Sequence, residues 1–526
     1  MLTVRRLIKF LAIIPMCGHA QSRPTVSLEG ERVEGQWSAA PAPAVAAFKG
    51  IPYAAPPVGA FRWKPTQRYR SVPGRTHDAS QFGHACMQPV SLDGEVRGDV
   101  SEDCLTLNVW TTDPSRDSAP RPVIVWIHGG SNIAGTSGRT YYDGTTLARR
   151  GVVLVSINYR VGVMGFFAHP ALSREGRAHA SGNYALLDIL SALGWVQRNI
   201  AEFGGDSTRV TVYGQSAGAN NIVHLMASPL AKGLFQRAIP QSGAPMDGLA
   251  SLTTAERFGT IFARSLGVAP DSTARDDEVL KALRAVPAET VMQAQSVFLQ
   301  SGIFQPIVDG LVLREMTARV FDRGKQMPVP LILGSTALEM SSLRDAMPAF
   351  ARTLTGYRTW VGDTFGASRD SMLALYPAPT DSDVDLAARR LVTDFYFTCQ
   401  TRLTARAMTR VATPSYLYLF SRVPPGEEGM GAYHAADIDY VFNARDPARK
   451  REAPDSTLSD TMVGYWLRFA ATGDPNGPSL PLWPAYRASD DAYQELGTTI
   501  GARTGLGASV CGLVEPVLRK LWRTRE

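Results

Sequence analysis

The chain has 526 residues, of which 44% are hydrophobic and 19% are charged. This length and hydrophobic content are sufficient for a large buried core. The composition also excludes disordered, collagen-like, coiled-coil and low-complexity proteins. The net charge of +6 comes with no run of five or more basic residues, so the sequence lacks the electrostatic signature of a nucleic-acid-binding protein.

The N-terminus has the features of a secretory signal peptide. Three basic residues lie within the first nine positions, an apolar run covers 10–16, and small residues occupy positions 18 and 20. This pattern predicts cleavage after Ala20, which divides the chain into a signal peptide (1–20) and one large domain (21–526).

A membrane anchor is not expected. The apolar run of the signal is far shorter than the about 20 residues that cross a bilayer, and no other run of eighteen apolar residues occurs. Cys17 raises the alternative of a lipoprotein anchor, which the bulky Met16 before it disfavours. The mature chain is therefore expected to be exported, to the periplasm or the medium.

The mature chain keeps an even number of cysteines, which are Cys86, Cys104, Cys399 and Cys511. In an exported protein four cysteines favour two disulfides, with three possible pairings. Four unpaired, buried thiols are the alternative.

Strand-like and helix-like segments alternate along the chain. Apolar runs rich in β-branched residues predict strands over 122–127, 151–158, 210–213, 328–333 and 416–420, and helical spacing predicts a helix over 184–200. The alternation indicates an α/β fold with a mostly parallel sheet and helices on both faces. The mainly helical, polar stretches 245–325 and 340–395 are interpreted as insertions that cap the sheet. In such sheets the functional site lies beyond the carboxyl ends of the strands.

Residues 214–218 read Gly-Gln-Ser-Ala-Gly and lie between a predicted strand and a helix-like run over 219–226. This is the strand–turn–helix context of a nucleophile elbow, in which the serine hydroxyl is held exposed at the strand end. A side chain at Gly214 or Gly218 would clash with the neighbouring backbone. The pattern therefore predicts a nucleophilic Ser216.

A serine nucleophile needs a base and an orienting carboxylate, which follow it along the chain in this type of fold. Of eight histidines only His224 and His434 follow Ser216. His224 lies on the helix directly after the elbow, too close in sequence to Ser216 for its side chain to reach over the serine. Elimination therefore favours His434.

The carboxylate is predicted between Ser216 and His434, beyond a strand end. Glu339 fits this position because it follows the predicted strand 328–333. The competing acids are Asp309, Glu315 and Asp345, with Asp437 and Asp439 beside His434 but after it.

A glycine-rich turn, His-Gly-Gly-Ser at 128–131, follows the predicted strand 122–127. Such a turn can direct backbone N–H groups at a carbonyl oxygen, and the N–H of Ala217 would add a further donor. The sequence thus predicts an oxyanion hole beside the elbow.

Long blocks of the chain, in the same order, resemble type-B carboxylesterases. They are FKGIPYAAPPVG at 48–59, SEDCLTLNVW at 101–110, WIHGGS at 126–131, NYRVG at 158–162, and FGGD at 203–206 leading to GQSAG. The resemblance covers nearly the whole mature chain. It implies an α/β-hydrolase domain over 21–526 that hydrolyses small-molecule carboxylic esters through an acyl-enzyme, with no metal or organic cofactor.

The resemblance also implies roles for individual residues. Ser216 matches the nucleophile, His434 the base and Glu339 the acid. The oxyanion donors are matched by Gly130, Ser131 and Ala217, and supporting roles fall to Ser242, Gly214 and Gly218.

The same resemblance implies the disulfides Cys86–Cys104 and Cys399–Cys511. It further matches Arg62–Glu102 and Arg160–Asp188 to structural ion pairs, to which we give no catalytic role.

The chain departs from its relatives' patterns at two places that bear on substrate specificity. Cholinesterases carry Glu immediately before the nucleophile, where this chain has Gln215, and residues 87–103 contain no aromatic residue that could bind a quaternary ammonium. A cholinesterase is therefore rejected, and the short 87–103 loop argues against a large lipase-type lid.

The sequence thus favours an exported serine carboxylesterase. A lipase, an amidase or a carbamate hydrolase on the same triad is the alternative, and a neuroligin-like binding module is disfavoured by the complete triad. Phe298, Leu299 and Phe304 are candidates for the substrate pocket. No pattern predicts an oligomeric state.

Overall fold

The computed structural model describes residues 22–38, 42–89, 99–117, 119–268, 275–298, 304–344, 347, 352–443 and 451–524. The predicted signal peptide with Cys17 lies outside these residues, as do Leu299 and Asp345.

The strands are β1 (Thr25–Leu28), β2 (Glu31–Glu34), β3 (Gln36–Trp37), β4 (Ala46–Pro52), β5 (Thr76–Asp78), β6 (Ala85–Cys86), β7 (Val100–Ser101), β8 (Thr106–Thr111), β9 (Arg121–Ile127), β10 (Val153–Ile157), β11 (Gly205–Gln215), β12 (Arg237–Gln241), β13 (Ala250–Ser251), β14 (Ile307–Val308), β15 (Leu331–Thr336), β16 (Ser415–Phe420), β17 (Ala492–Leu496) and β18 (Ile500–Thr504).

The α-helices are α1 (Thr145–Arg149), α2 (Gly162–Phe166), α3 (Pro170–Glu175), α4 (Tyr184–Asn199), α5 (Ala217–Ala227), α6 (Leu252–Ser265), α7 (Asp276–Ala285), α8 (Ala288–Phe298), α9 (Thr317–Asp322), α10 (Leu354–Phe365), α11 (Arg369–Leu375), α12 (Asp381–Thr393), α13 (Cys399–Met408), α14 (Ile438–Phe442), α15 (Ala453–Thr472) and α16 (Ala508–Thr524).

One large sheet organises the molecule. Its eleven strands run in the order β18-β17-β16-β15-β12-β11-β9-β10-β8-β4-β3. The strands from β17 to β10 pair in parallel, and only the pairs at the two ends are antiparallel. The predicted α/β class with a mostly parallel sheet is confirmed.

Both faces of this sheet are covered, as β9 illustrates. Val123, Val125 and Ile127 pack in one apolar cluster with the inner face of α4, while Ile124 and Trp126 pack in another with α15. Because both faces are buried, the strand reads as a continuous apolar run and not as an alternating one.

The strand predicted over 328–333 is displaced along the chain, since β15 spans Leu331–Thr336. Proline has no N–H to donate to a sheet, so Pro328 and Pro330 stay outside the strand. The strand continues through Gly334, where an added Cβ would lie 2.3 Å from the Tyr418 ring on β16. This shift moves the strand end three residues closer to Glu339.

The polar, helical stretches fold as predicted into α6–α8 and α10–α12. Two of the candidate pocket residues pack within the first insertion, Phe304 buried in the core and Phe298 half-buried against it. The Phe298 and Phe304 rings pack edge-on against Phe262, with centroids 5.5 and 5.1 Å away. We therefore do not assign either ring to a substrate pocket.

Two disulfides cross-link the described part of the chain, one over a short and one over a long separation. Cys86–Cys104 closes a short loop after β6, and Cys399–Cys511 joins α13 to α16. No helix in the described part of the chain is both long and apolar enough to cross a membrane.

The ion pair between Arg160 and Asp188 lies inside the protein. Arg160 Nε and Nη2 donate to the two carboxylate oxygens at 2.7 and 2.8 Å, and both side chains are almost fully buried. A charge buried there without its partner is strongly destabilising. This pair, like Arg62–Glu102, stabilises the fold, in line with the structural role expected from the sequence.

Candidate active site

Ser216 lies in a strained turn between β11, which ends at Gln215, and α5, which begins at Ala217. Its backbone angles are φ 57° and ψ −125°, a conformation that residues other than glycine rarely adopt. Such strain at a strand–helix turn is the signature of a nucleophile elbow. The side chain remains half-buried and so accessible.

The glycines on either side of this turn are required by close packing. A Cβ on Gly214 would lie 2.8 Å from the Ile127 carbonyl oxygen, and one on Gly218 would lie 2.1 Å from the same oxygen. The elbow therefore sits directly against the end of β9, where the glycine-rich turn begins.

His434 and Glu339 form a buried pair. His434 Nδ1 lies 2.5 Å from Glu339 Oε2, and the Glu339 side chain is fully buried. The second carboxylate oxygen accepts a hydrogen bond from the Thr336 N–H at 2.7 Å. Glu339 is thus held at the end of β15 in an orientation that directs one oxygen at the imidazole.

The other ring nitrogen of His434 faces the elbow. His434 Nε2 lies 3.0 Å from the side-chain amide nitrogen of Gln215, the residue before Ser216. An amide N–H donates, so Nε2 accepts, and Nδ1 donates to Glu339. The two contacts match the tautomer that a general base needs, with the Nε2 lone pair directed at the elbow, where it accepts from the Gln215 amide.

The glycine-rich turn lies beside Ser216. A Cβ on Gly129 would be 3.0 Å from Ser216 Cβ. Within the described ranges, the backbone N–H groups of Gly130, Ser131 and Ala217 have no hydrogen-bond acceptor. Free donors beside a candidate nucleophile are what an oxyanion hole requires.

The other buried histidines near the site are structural. Burial lowers the pKa of His128 to about 4 and that of His224 to about 3. The His128 ring stacks on Tyr159 with centroids 4.3 Å apart, and His224 Nδ1 contacts Thr317 Oγ1 at 2.7 Å. Neither histidine faces Ser216 with a partner carboxylate.

Two acids that competed with Glu339 for the orienting role form contacts away from His434. Asp309 Oδ1 accepts three backbone N–H groups of the turn that follows it, and Glu315 forms an ion pair with Arg323. Ser242 is buried at φ 50°, but its hydroxyl has no hydrogen-bond partner among the described residues and so does not contact Glu339.

Asp437 is a buried carboxylate beside the pair, to which sequence reasoning gave no role. Its Oδ2 accepts hydrogen bonds from the Gln241 amide at 2.7 Å and the Tyr418 hydroxyl at 2.9 Å. Burial, and then the nearby negative charge of Glu339, raises the pKa of Asp437 to about 6. Its position three residues after His434 was the only sequence signal for it.

This raised pKa predicts a pH-dependent stability. A carboxyl group whose pKa is raised on folding stabilises the fold while it is protonated, and this contribution is lost as the pH rises through about 6. Asp437→Asn carries no charge at any pH. Between pH 4 and pH 8 we expect the unfolding free energy of the variant to rise by about 2 kcal/mol relative to that of the wild type. Urea unfolding of both proteins at each pH measures this difference.

The control is Asp439→Asn, a half-buried aspartate in α14, the helix that begins directly after Asp437. Its difference from the wild type measures what an Asp→Asn change in this helix does when the fully buried carboxyl is left in place. A constant difference between Asp437→Asn and the wild type from pH 4 to pH 8 would contradict the raised pKa.

Comparisons with known proteins identify the family of the chain. The carboxylesterase family model matches residues 22–513. A fumonisin B1 esterase of Sphingopyxis macrogoltabida is 35% identical over 508 residues, which cover 95% of this chain and 89% of that protein. Carboxylesterase 4A of Bos taurus is 32% identical over 494 residues, which cover 86% and 87%. The α/β-hydrolase fold and carboxylic ester hydrolysis follow from these matches, and the chain belongs to the carboxylesterase family.

Proposed function

We propose that the protein is an exported serine carboxylesterase in which Ser216 is the nucleophile, His434 the general base and Glu339 the orienting acid. The observation that carries this proposal is the bridging position of His434. Its Nδ1 contacts Glu339 at 2.5 Å, while its Nε2 faces the residue that precedes Ser216. The same imidazole can therefore accept a proton on one side while the carboxylate stabilises its charged form from the other.

In the proposed mechanism His434 accepts the Ser216 hydroxyl proton as Oγ attacks the ester carbonyl carbon. The resulting oxyanion accepts hydrogen bonds from the backbone N–H groups of Gly130, Ser131 and Ala217. His434 then protonates the departing alcohol, which leaves an acyl-enzyme on Ser216. Water hydrolyses this intermediate by the same steps in reverse, and the steps need no metal or organic cofactor.

We further propose that residues 1–20 are removed on export and that 21–526 form one catalytic domain. The two disulfides support an oxidising compartment, the periplasm or the medium. Gly214 and Gly218 support the elbow by their close packing. Ser242 is proposed to support the acid indirectly, since its N–H donates to the Gly334 carbonyl oxygen, at 2.8 Å, on the strand that leads to Glu339.

The substrate is proposed to be a small-molecule carboxylic ester. A lipase, an amidase or a carbamate hydrolase would use the same triad and remains the alternative. The similarity to a fumonisin B1 esterase makes fumonisin B1 one ester to test.

Covalent labelling tests the triad directly. We expect a fluorophosphonate to add one phosphonyl group per mature protein, on the Ser216 peptide, with loss of ester hydrolysis in proportion to labelling. Peptide mass mapping measures the site. Labelling at another serine, or hydrolysis that survives complete labelling, would contradict the proposal.

A substrate series separates the alternatives. p-Nitrophenyl esters from C2 to C16, a matched anilide, a carbamate and fumonisin B1 are compared by kcat/KM. A maximum at short chains supports a carboxylesterase, and a maximum at C12 or longer supports a lipase. Preference for the anilide or the carbamate would replace the ester as the substrate class.

A further inference from the structure

A side chain from the first insertion contacts the candidate oxyanion turn at two points. The Gln305 amide nitrogen donates to the Ser131 carbonyl oxygen at 2.8 Å, and its amide oxygen accepts from the Asn132 side chain at 3.1 Å. We propose that Gln305 is a positioning residue, which holds the oxyanion turn in the conformation that catalysis requires. This inference rests on the proposed function, because it assumes that the Gly130 and Ser131 N–H groups receive the oxyanion.

The turn needs such support because its backbone is strained. Gly130, Ser131 and Asn132 have φ values of 110°, 56° and 59°. Two successive non-glycine residues at positive φ cost free energy, and they persist only where surrounding contacts hold them. Rotation of the Gly130–Ser131 peptide would relieve the strain at Ser131 and turn its N–H away from the substrate oxygen. The Gln305 bond to the Ser131 carbonyl oxygen opposes this rotation by fixing the next peptide.

Asn132 connects the turn to two further elements. Its side-chain oxygen accepts from the Asn221 amide on α5, the helix that carries the elbow, at 2.8 Å. Its carbonyl oxygen accepts from the N–H of Gly162, the first residue of α2, at 2.5 Å. Because Asn132 is almost fully buried, these bonds leave its amide N–H facing Gln305. Gln305 therefore holds the turn by hydrogen bonds on the side that faces the insertion.

Gln305 is itself well anchored. Two residues later, the Ile307 N–H donates to the Asn183 side-chain oxygen at 3.0 Å and the Ile307 carbonyl accepts from the Asn183 amide at 2.8 Å. This two-way bond fixes the segment to the start of α4. A fixed segment can hold a strained turn, whereas a mobile one would follow it.

Gln305→Met tests the proposal, because methionine keeps the length of the side chain and removes both hydrogen bonds. For a short p-nitrophenyl ester we expect kcat to fall about 10- to 100-fold, less than the loss of a whole oxyanion donor, with KM within about threefold of the wild type. A trifluoromethyl ketone, whose hemiketal oxyanion occupies the same N–H groups, should bind more weakly by the same factor.

Gln197→Met is the matched control. The Gln197 amide, like that of Gln305, makes two hydrogen bonds, here to the backbone carbonyl oxygens of Ser207 and Leu234 at 3.0 and 2.9 Å, but it lies on α4 away from the turn. Its loss should lower the melting temperature about as much as Gln305→Met and leave kcat unchanged. Asn132→Gly, which tolerates positive φ, removes the Asn132–Gln305 bond from the other side, together with the bond to Asn221. Because the two substitutions share the Asn132–Gln305 bond, the loss of kcat in the double variant should be smaller than the product of the two single losses.

Several outcomes would overturn the proposal. An unchanged kcat in Gln305→Met, or a rise in KM alone, would mean that Gln305 is structural or contacts the substrate instead. A parallel loss of kcat in Gln197→Met would mean that general destabilisation is the cause. Failure of fluorophosphonate labelling at Ser216 would instead remove the proposed function, and that result is independent of Gln305. If Gln305→Met does not fold, Gln305→Glu replaces it, because glutamate still accepts from Asn132 but cannot donate to the Ser131 carbonyl. An unchanged kcat in the folded Gln305→Glu variant would overturn the proposal in the same way.

Discussion

Ser216→Ala should lower kcat/KM for a short p-nitrophenyl ester by about 10⁶-fold. Alanine removes the attacking oxygen, so no acyl-enzyme can form, and His434 and Glu339 are left without a proton to transfer. The strained backbone of the elbow stays the same, since the neighbouring glycines set its packing. Steady-state rates on the purified mature protein, with circular dichroism to verify folding, measure the effect.

The control for Ser216→Ala is Ser296→Ala, an exposed serine near the end of α8 that should keep full activity. Background catalysis of about 10³- to 10⁴-fold over water is expected to survive in Ser216→Ala, because the oxyanion donors and the binding site remain. Activity well above that level in the folded variant would show that Ser216 is not the nucleophile.

Glu339→Gln should lower kcat by about 10⁴-fold with little change in KM. The amide side chain can donate a hydrogen bond to His434 Nδ1, which favours the tautomer with its proton on Nε2. That tautomer cannot accept the Ser216 proton. The neutral amide also cannot stabilise the positive charge of the imidazolium as the carboxylate does. Steady-state kinetics of the folded variant over a range of pH measures both effects.

Glu315→Gln is the comparison for this change, because Glu315 was a competitor for the same role and instead pairs with Arg323. It should retain wild-type kinetics. A loss of less than tenfold in Glu339→Gln would assign the orienting role to another acid, and Asp437 would then be the first to test.

The sequence predicted the α/β class because its signal is local. The run at 122–127 is apolar on both faces, and the helical spacing after Asn183 is regular, so β9 and α4 were found almost to the residue. The strand before Glu339 was misplaced by three residues. Pro328 and Pro330 fit an apolar run but lack the N–H that a sheet needs, and Gly334 does not look like a strand residue but lies within β15.

In the candidate site, too, some residues could be predicted from local sequence patterns and others could not. Ser216 and its glycines were predicted because one continuous turn carries the whole pattern, whereas Glu339 had competitors on spacing alone. Distances across 95 residues of chain, such as that between His434 and Glu339, depend on which strands become neighbours. Gln305 was not found, since a single amide in a loop has no distinctive spacing and acts only through contacts made 173 and 174 residues away.

The secondary-structure elements, the elbow and the family resemblance could be predicted from the sequence, because short-range patterns of glycine, apolar and β-branched residues carry them. Three features follow only from tertiary contacts: Phe304 is buried with Phe298 packed nearby, Asp437 is buried beside Glu339, and Gln305 contacts the candidate oxyanion turn. Burial and side-chain hydrogen bonding depend on which distant segments meet, and parallel strands joined by long crossovers bring together residues that no local pattern relates.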